Sequence, residues 1–392
     1  MKALVLLPLL ALAAGAGGLD AQPAAVDRPI LSAGPVLVGD RVVWGETTFD
    51  AMFLLLRSPG TGPVVIYRQR SSRRKQSWGV DDIAASPSFL AFSRSWEDCG
   101  GGVCGYGGSD LWAGGPRGPF SRYASAPYLP CGSGVSFDVD SSAIVFSEHV
   151  CRRGAERARV VLRWLPRGPE VELANLPAKA YCCGDVRIAG RFVAWAAGKA
   201  IVVYDVVARR TAYRAGLPKG SQRALDFDLT DDGRLVVAID NRRGIVDEDQ
   251  VPIGKLFRFA PGAPAPRARS IGGQARLDWY GRRLRIGGGR LLYDRALTAK
   301  TSELVFVDRA GRRRRLAFFH PGERLVGDLD LTPERIAWAS RRDTQVRQTC
   351  NIERCTYVAD GVITVWTARL GGPGIRRTQI ARRPYSGLSP LD

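Results

Sequence analysis

One phrase recurs along the chain and restricts the fold more than any other feature: a short strand, a turn rich in Asp or Gly, then an apolar strand. It first reads "VLVGDRVVWGE", ending near Trp44. It returns as "ASPSFLAFS" at Phe92, "FDVDSSAIVFS" at Phe146, "VRIAGRFVAWA" at Trp195, "FDLTDDGRLVVAI" at Ala238, "LDWYGRRLRI" at Ile286 and "LDLTPERIAWAS" at Trp338. The intervals are 48, 54, 49, 43, 48 and 52 residues. After each phrase comes a further apolar run ("VVIYR", "DLWAG", "RVVLRWL", "AIVVYDV", "KLFRFA", "ELVFVD", "VITVWTA") and then a weaker one, so each repeat holds about four strands.

A four-stranded sheet of this size cannot bury both faces except against copies of itself, which is the condition a β-propeller satisfies. Amphipathic helical periodicity is scarce, and Gly 45 with Pro 24 suits many turns between short strands. With 45% hydrophobic and 24% charged residues, the 392-residue chain is neither disordered, collagenous nor a polytopic membrane protein. The expectation is an all-β chain: a single β-propeller over 22–392, with seven four-stranded blades near 30–80, 81–130, 131–180, 181–222, 223–272, 273–322 and 323–392. The divergent sixth phrase, with Gly287 to Gly289, leaves six or eight blades open. Two packed β-sandwiches would not predict one phrase along the whole chain.

"LTDDGRLVVAI", with its Asp-Gly turn between two strands, resembles the TolB-like and Trp-Asp-repeat-like propellers. The resemblance covers nearly all of 22–392 and implies the fold. The Gly-His and Trp-Asp dipeptides of the stricter family are missing, and the resemblance implies no particular activity.

Residues 1–21 carry Lys2, an apolar run from Ala3 to Leu19, and Ala-x-Ala-like ends at Ala16 or Ala21. This reads as a secretory signal peptide, the alternative being an uncleaved anchor, and it places the mature chain outside the cytoplasm, secreted or in the periplasm or at the cell surface. No later stretch is apolar and long enough to span a membrane. Eight cysteines follow: Cys99, Cys104, Cys131, Cys151, Cys182, Cys183, Cys350 and Cys355. Their even number in an exported chain favours disulfides, and the spacing of Cys99/Cys104 and Cys350/Cys355 is not the close-pair spacing of zinc sites. Local Cys99–Cys104 and Cys350–Cys355 bridges are expected, with Cys131 and Cys151 pairing to Cys182 and Cys183 in an open order, or a vicinal Cys182–Cys183 bond instead. In a propeller all eight fall on the face that carries the second-to-third-strand loops and the connections between blades.

That stapled face is the expected binding surface, through Glu46 and Asp50 of the first blade, Trp96, Glu97, Asp98 and Tyr106 of the second, and Arg341, Arg342, Asp343, Arg347, Asn351, Glu353 and Arg354 of the seventh. The recurring Trp44, Phe92, Phe146, Trp195 and Trp338 are expected in the core. Asp228, Asp231 and Asp232 read as turn residues, and Asp247, Glu248 and Asp249 lack calcium-loop spacing, so neither metal nor cofactor is expected. No nucleophile elbow is present, and His149, taken as a loop residue, and His320, taken as a turn residue, have no evident catalytic partner.

Net charge is +19, with 57 Lys and Arg against 38 Asp and Glu, and clusters at Arg70, Arg73, Arg74 and Lys75 and at Arg312 to Arg315. The sequence therefore points to a monomeric, non-catalytic binder of a protein or glycan of the cell envelope. Two alternatives stand beside it: a carbohydrate-active hydrolase or lyase with a pair such as Glu97 and Asp50, and an electrostatic binder of anionic envelope polymers through the Arg clusters.

Overall fold

A computed structural model describes residues 30–48, 51–70, 75–98, 106–127, 135–152, 155–177, 186–219, 221, 224–240, 253–263, 265–276, 282–298, 300–350, 355–370 and 375–388. Among them the strands fall into consecutive antiparallel quartets. The first is β1 (Ile30–Val38), β2 (Arg41–Thr47), β3 (Ala51–Arg57) and β4 (Val64–Arg70). The second is β5 (Lys75–Ala85), β6 (Leu90–Asp98), β7 (Tyr106–Gly114) and β8 (Phe120–Pro127), and the third β9 (Ser136–Val139), β10 (Ala143–Arg152), β11 (Ala155–Trp164) and β12 (Glu170–Pro177). The fourth is β13 (Val186–Ala189), β14 (Phe192–Ala197), β15 (Ala200–Asp205) and β16 (Arg210–Gly216). The fifth comprises β17 (Ala224–Leu229), β18 (Leu235–Asp240), β19 (Ile253–Phe259) and β20 (Arg269–Arg276), and the sixth β21 (Leu284–Gly287), β22 (Arg290–Ala296), β23 (Ser302–Val307) and β24 (Arg313–Phe319). The last is β25 (Glu323–Leu331), β26 (Arg335–Cys350), β27 (Cys355–Arg369) and β28 (Arg376–Leu388). The fifth and sixth quartets also touch edge to edge through the pair Ala275↔Arg295.

The quartets form a closed ring. The first strand of each touches the first strand of the next, from β1 through β5, β9, β13, β17 and β21 to β25, and β25 returns to β1. Each seam holds its own apolar cluster. Val36, Val43 and Leu54 meet Ile83 and Phe92 between the first two quartets. Leu304 and Phe306 meet Leu329 and Trp338 between the sixth and seventh, and Trp44 and Leu55 meet Ala337 and Val365 where the ring closes. Trp44, Phe92, Phe146, Trp195 and Trp338 are all buried, each stabilising the fold by about 1.5–3 kcal/mol through area removed from water. The chain is thus a β-propeller: each sheet is covered on both faces only because its neighbours stand beside it.

Strand length differs around the ring. β13 to β16 hold 4 to 7 residues, whereas β26, β27 and β28 hold 16, 15 and 13. At about 3.3 Å per residue the last quartet stands well above the others at the end carrying its β26–β27 turn. β6 and β7, with 9 residues each, and β10 and β11, with 10 each, are raised at the same end. His149 lies inside β10 opposite Ala158, not in a loop as the sequence was read, because β10 runs on past the length of an ordinary blade strand.

Candidate functional site

Acidic residues spaced two apart on the inner strands share one side of the strand, and here that side faces the ring axis. "FDVD", "DFDL" and "DLDL" supply Asp138 and Asp140, Asp226 and Asp228, and Asp328 and Asp330. Each carboxylate takes backbone N–H groups from the following quartet. Ile188 N donates to Asp138 Oδ2 at 3.0 Å and Gly190 N to Asp140 at 2.6 Å. Leu284 N donates to Asp226 at 3.0 Å and Ile286 N to Asp228 at 2.7 Å. Gly34 N donates to Asp328 at 3.1 Å and Leu37 N to Asp330 at 2.7 Å, which joins the last quartet to the first.

Arginines answer these carboxylates. Asp138, Arg187, Asp228, Arg285 and Asp330 immediately precede Val139, Ile188, Leu229, Ile286 and Leu331, so charge alternates around five quartets. Arg285 reaches Asp330 at 3.2 Å and Asp228 at 3.7 Å, and Arg187 reaches Asp226 at 3.1 Å. Arg282 crosses the axis: Nη1 donates to Asp138 at 3.0 Å, and Nη2 to Asp82 at 3.1 Å and to the Phe137 carbonyl at 2.6 Å. Burial works against the charge of Asp138, but Arg282, Arg285 and Arg187 overcome it and hold its pKa below the usual carboxylate value. Asp328 goes the other way. Burial first, then the neighbouring Asp82, push it up to about 6 against Arg282 and its two N–H donors. Asp228 is therefore an axial, buried carboxylate and not the turn residue expected; Asp232 does serve its turn, bonding the Thr230 hydroxyl. At the level of Arg282 the axis is filled by charges committed to one another.

Near this network Asp81 accepts the Ser95 hydroxyl at 2.7 Å. Burial, and then the neighbouring Asp82, raise its pKa to about 6 against the lowering pull of that hydrogen bond.

The loop-face residues separate into three groups. Asp50, Asn351, Glu353 and Arg354 lie outside the described residues, as do Asp247, Glu248 and Asp249, Arg73 and Arg74, and five of the cysteines, Cys99, Cys104, Cys131, Cys182 and Cys183. Glu97, Asp98, Tyr106, Arg347 and Cys151 are placed by backbone alone, on β6, β7, β26 and β10; Cys350 and Cys355 are direct backbone partners across the β26–β27 turn. The rest have described side chains. Glu46 is buried, accepts Trp44 Nε1 at 2.8 Å and sits 3.5 Å from Arg383, so it serves the seam between the first and last quartets. Trp96 is half-buried on β6. Arg312 closes the β23–β24 turn and Arg313 to Arg315 open β24, all four exposed.

Arg342 and Asp343 meet on a cleft where the long last quartet overhangs the sixth, and Arg341 borders the recess beside it. Because β26 to β28 outrun β24, part of their face has no sheet beside it. The resulting space, about 490 Å³, is lined by Glu323, Ser340, Arg342, Asp343, Thr344, Val362, Thr364, Trp366, Gln379 and Arg382. A smaller recess of about 150 Å³ adjoins it, bounded by Phe318, Phe319, Trp338, Arg341 and Arg377. Alternation puts 340, 342 and 344, and 364 and 366, on one side of their strands. Glu323 pairs with Arg342 at 3.4 Å, Arg341 Nε donates to Asp343 at 2.7 Å, and Asp343 N donates to the Gly322 carbonyl at 2.8 Å. Trp366 stacks on Trp338 with centroids 6.2 Å apart and donates Nε1 to the Ser340 hydroxyl at 3.0 Å. Two carboxylates and two guanidiniums leave the main cleft formally neutral and crowded with donors and acceptors. The sequence signal for Gln379, Arg382, Thr364 and Glu323 is weak, because their meeting depends on strand register and not on spacing along the chain.

Among the described residues no group of three or more acidic, His or Cys side chains is placed to hold a metal, and no helix is long and apolar enough to cross a membrane. No protein-family model matches the chain, and no curated protein matches it in sequence. Several solved structures are similar in shape. Prolyl oligopeptidase B from Galerina marginata matches with a TM-score of 0.49 and 10% identity over 93% of this chain, which spans about half (52%) of that protein's length. Virginiamycin B lyase from Staphylococcus aureus matches with a TM-score of 0.46 and 11% identity, covering 79% of this chain and 94% of that one. The WD40 domain of SCAP from fission yeast matches with a TM-score of 0.35 and 10% identity, over 90% and 74%. These proteins are a WD40 domain, an oligopeptidase and a lyase, and the likeness singles out no activity.

Proposed function

We propose that this is an exported, disulfide-stapled, seven-bladed propeller, each quartet a blade, that binds a glycan of the cell envelope without cleaving it, and that the cleft on the overhanging face of the last quartet takes the saccharide. The observation that carries this reading is the neutrality of the cleft. A polyhydroxyl ligand offers donors and acceptors and no net charge, and Glu323, Asp343, Arg342, Arg382, Gln379 and the hydroxyls of Ser340, Thr344 and Thr364 match it in kind. Its size suits a short saccharide better than the flat contact of a folded protein. The absence of catalysis is argued from the same contacts: Glu323 and Asp343 are each held by an arginine, so neither is poised as a proton donor.

The test is calorimetry of the purified, exported protein against a panel of neutral envelope oligosaccharides, with Gln379→Ala and Arg382→Ala beside the wild type. Both side chains belong to an edge strand, so the fold should survive. Loss of roughly tenfold or more in affinity is expected for each variant, with the saccharide recovered intact. Cleaved saccharide would replace this reading with the hydrolase or lyase one. Binding that the variants leave untouched, and that collapses with salt, would favour the electrostatic one.

A further inference from the structure

On the opposite face, where the ring closes, lies a second cleft of different character. Its space is about 450 Å³, and it is lined by Asp40 and Val42 of the first β1–β2 turn and β2, by Arg57 to Gly60 at the β3–β4 turn, and by Arg335, Thr367, Arg369, Arg376, Thr378 and Ile380 of the last quartet. Asp40 and Ser58 to Gly60 lie in turns at the end of the sheets away from the β26–β27 turn, and the remaining lining residues lie in the strands beside them. Four guanidiniums therefore meet one acidic residue, and among the described residues none of the four is paired with a carboxylate. Asp40 is itself turned toward Arg41, with its carboxylate 3.8 Å from Arg41 Nε. Two of the guanidiniums are held in place by backbone carbonyls: Arg57 Nε donates to Thr61 O at 2.8 Å, and Arg335 Nη1 donates to Asp40 O. The Nε of Arg335 is buried without a hydrogen-bond partner.

Like charges held together at a seam oppose closure unless something neutralises them. Burial, and then Arg369 beside it, lower the pKa of Arg335, which records that crowding. Arginine forks preorganised by carbonyls, with Ser58, Thr367 and Thr378 hydroxyls between them, provide the geometry that reads a tetrahedral dianion. Val42 and Ile380 add an apolar wall, so the space holds more than a bare ion.

We propose that this cleft is a binding site for a phosphoryl group on a small soluble ligand, seated between the first and last blades. It is separate from the saccharide cleft and does not depend on it. Charge separates the two: one cleft is formally neutral, whereas the other carries four cations against one anion.

The experiment is calorimetric titration of the full chain with inorganic phosphate and with glycerol phosphate, with acetate as a monovalent control. Three variants accompany the wild type: Arg369→Gln with Arg376→Gln, Thr378→Val, and a control that removes two exposed cations elsewhere, Arg117→Gln with Arg314→Gln. All of these side chains are exposed, so the folded state should be retained, which a thermal melt checks. The wild type should bind both phosphates and prefer them to acetate by roughly tenfold or more. The Arg369/Arg376 variant should lose about tenfold, Thr378→Val less, and the control nothing. Tighter binding of the ester than of the inorganic ion would show that the apolar wall takes part; equal binding would show that the phosphoryl group alone is read. An equal loss in the control variant, or no preference over acetate, overturns the site.

Discussion

Arg282 is a single side chain on which three quartets depend. It leaves the start of the sixth quartet, crosses the axis and neutralises Asp138 and Asp82, while its own N–H holds Asp328 at 2.8 Å. Breaking a buried ion pair by removing one partner costs about 3–5 kcal/mol, because the other charge is left uncompensated. Arg282→Met should lower stability by that order at pH 8, measured by urea unfolding. The pH dependence distinguishes this cause from lost packing. In the wild type Asp138 has a depressed pKa, so its contribution is present above the unfolded value and is lost as pH falls through the folded one. Without Arg282 the largest of the opposing charges is gone and burial drives the pKa upward against Arg285 and Arg187, so the added penalty is present at high pH and relieved on acidification. Asp328, already raised to about 6, is pushed further in the same direction. The stability gap between wild type and variant should therefore narrow from pH 8 to pH 5. A gap that stays constant with pH would mean that Arg282 acts by packing alone.

Each inner strand has to carry an apolar side toward its neighbours and a polar side toward the axis, and the D-x-D phrases show how a strand of four to nine residues does both. Where two strands meet most closely there is no room for any side chain. At Gly327, with φ +65°, a Cβ would lie 1.9 Å from the Gly34 carbonyl oxygen across the closing seam. Gly327→Ala should cost on the order of 3 kcal/mol, since the backbone of the seam must move. Gly39→Ala, at φ +62° with nothing within 4 Å of the added carbon, should cost only about 1 kcal/mol of backbone strain. Similar losses at both positions would remove the close approach as the cause. The repeat itself was legible in the sequence because the strand–turn–strand phrase and its buried aromatics are local. The D-x-D pairs were visible too, yet Asp228 was read with the adjacent turn because its partners, Arg285 and the Ile286 amide, lie 57 and 58 residues on. Arg282 left no signal at all: Asp138 and Asp82 are 144 and 200 residues away, and only ring closure brings them within reach. Of the candidate site, Arg341, Arg342 and Asp343 were found from their place after an apolar strand, whereas Gln379 and Arg382 reach the cleft only through the β27–β28 register.

A ring stabilises itself differently from an open stack, since no blade is terminal and every sheet has a neighbour on each side. The closing seam has the same construction as those after the third and fifth quartets: an apolar cluster, here around Trp44 and Val365, and paired carboxylates receiving N–H groups from the next quartet. Among the described residues no segment of chain leads from the last quartet to the first, so their contact, with Arg282 across the axis, holds the circle shut. Asp330 is the residue to change, because it accepts Leu37 N at 2.7 Å and meets Arg285 at 3.2 Å, tying the seventh quartet to both neighbours. Asn has one acceptor oxygen in place of two, so Asp330→Asn must give up one of these partners, at about 1–3 kcal/mol. If closure holds the whole molecule together, that loss should appear first at the seam. Hydrogen exchange at the Leu37 amide should then accelerate more than at the Ile188 amide, which makes the equivalent bond to Asp138 between two quartets that the chain itself connects. Uniform acceleration at both amides would instead mean that the ring opens only by global unfolding, with the closing seam as strong as the connected ones.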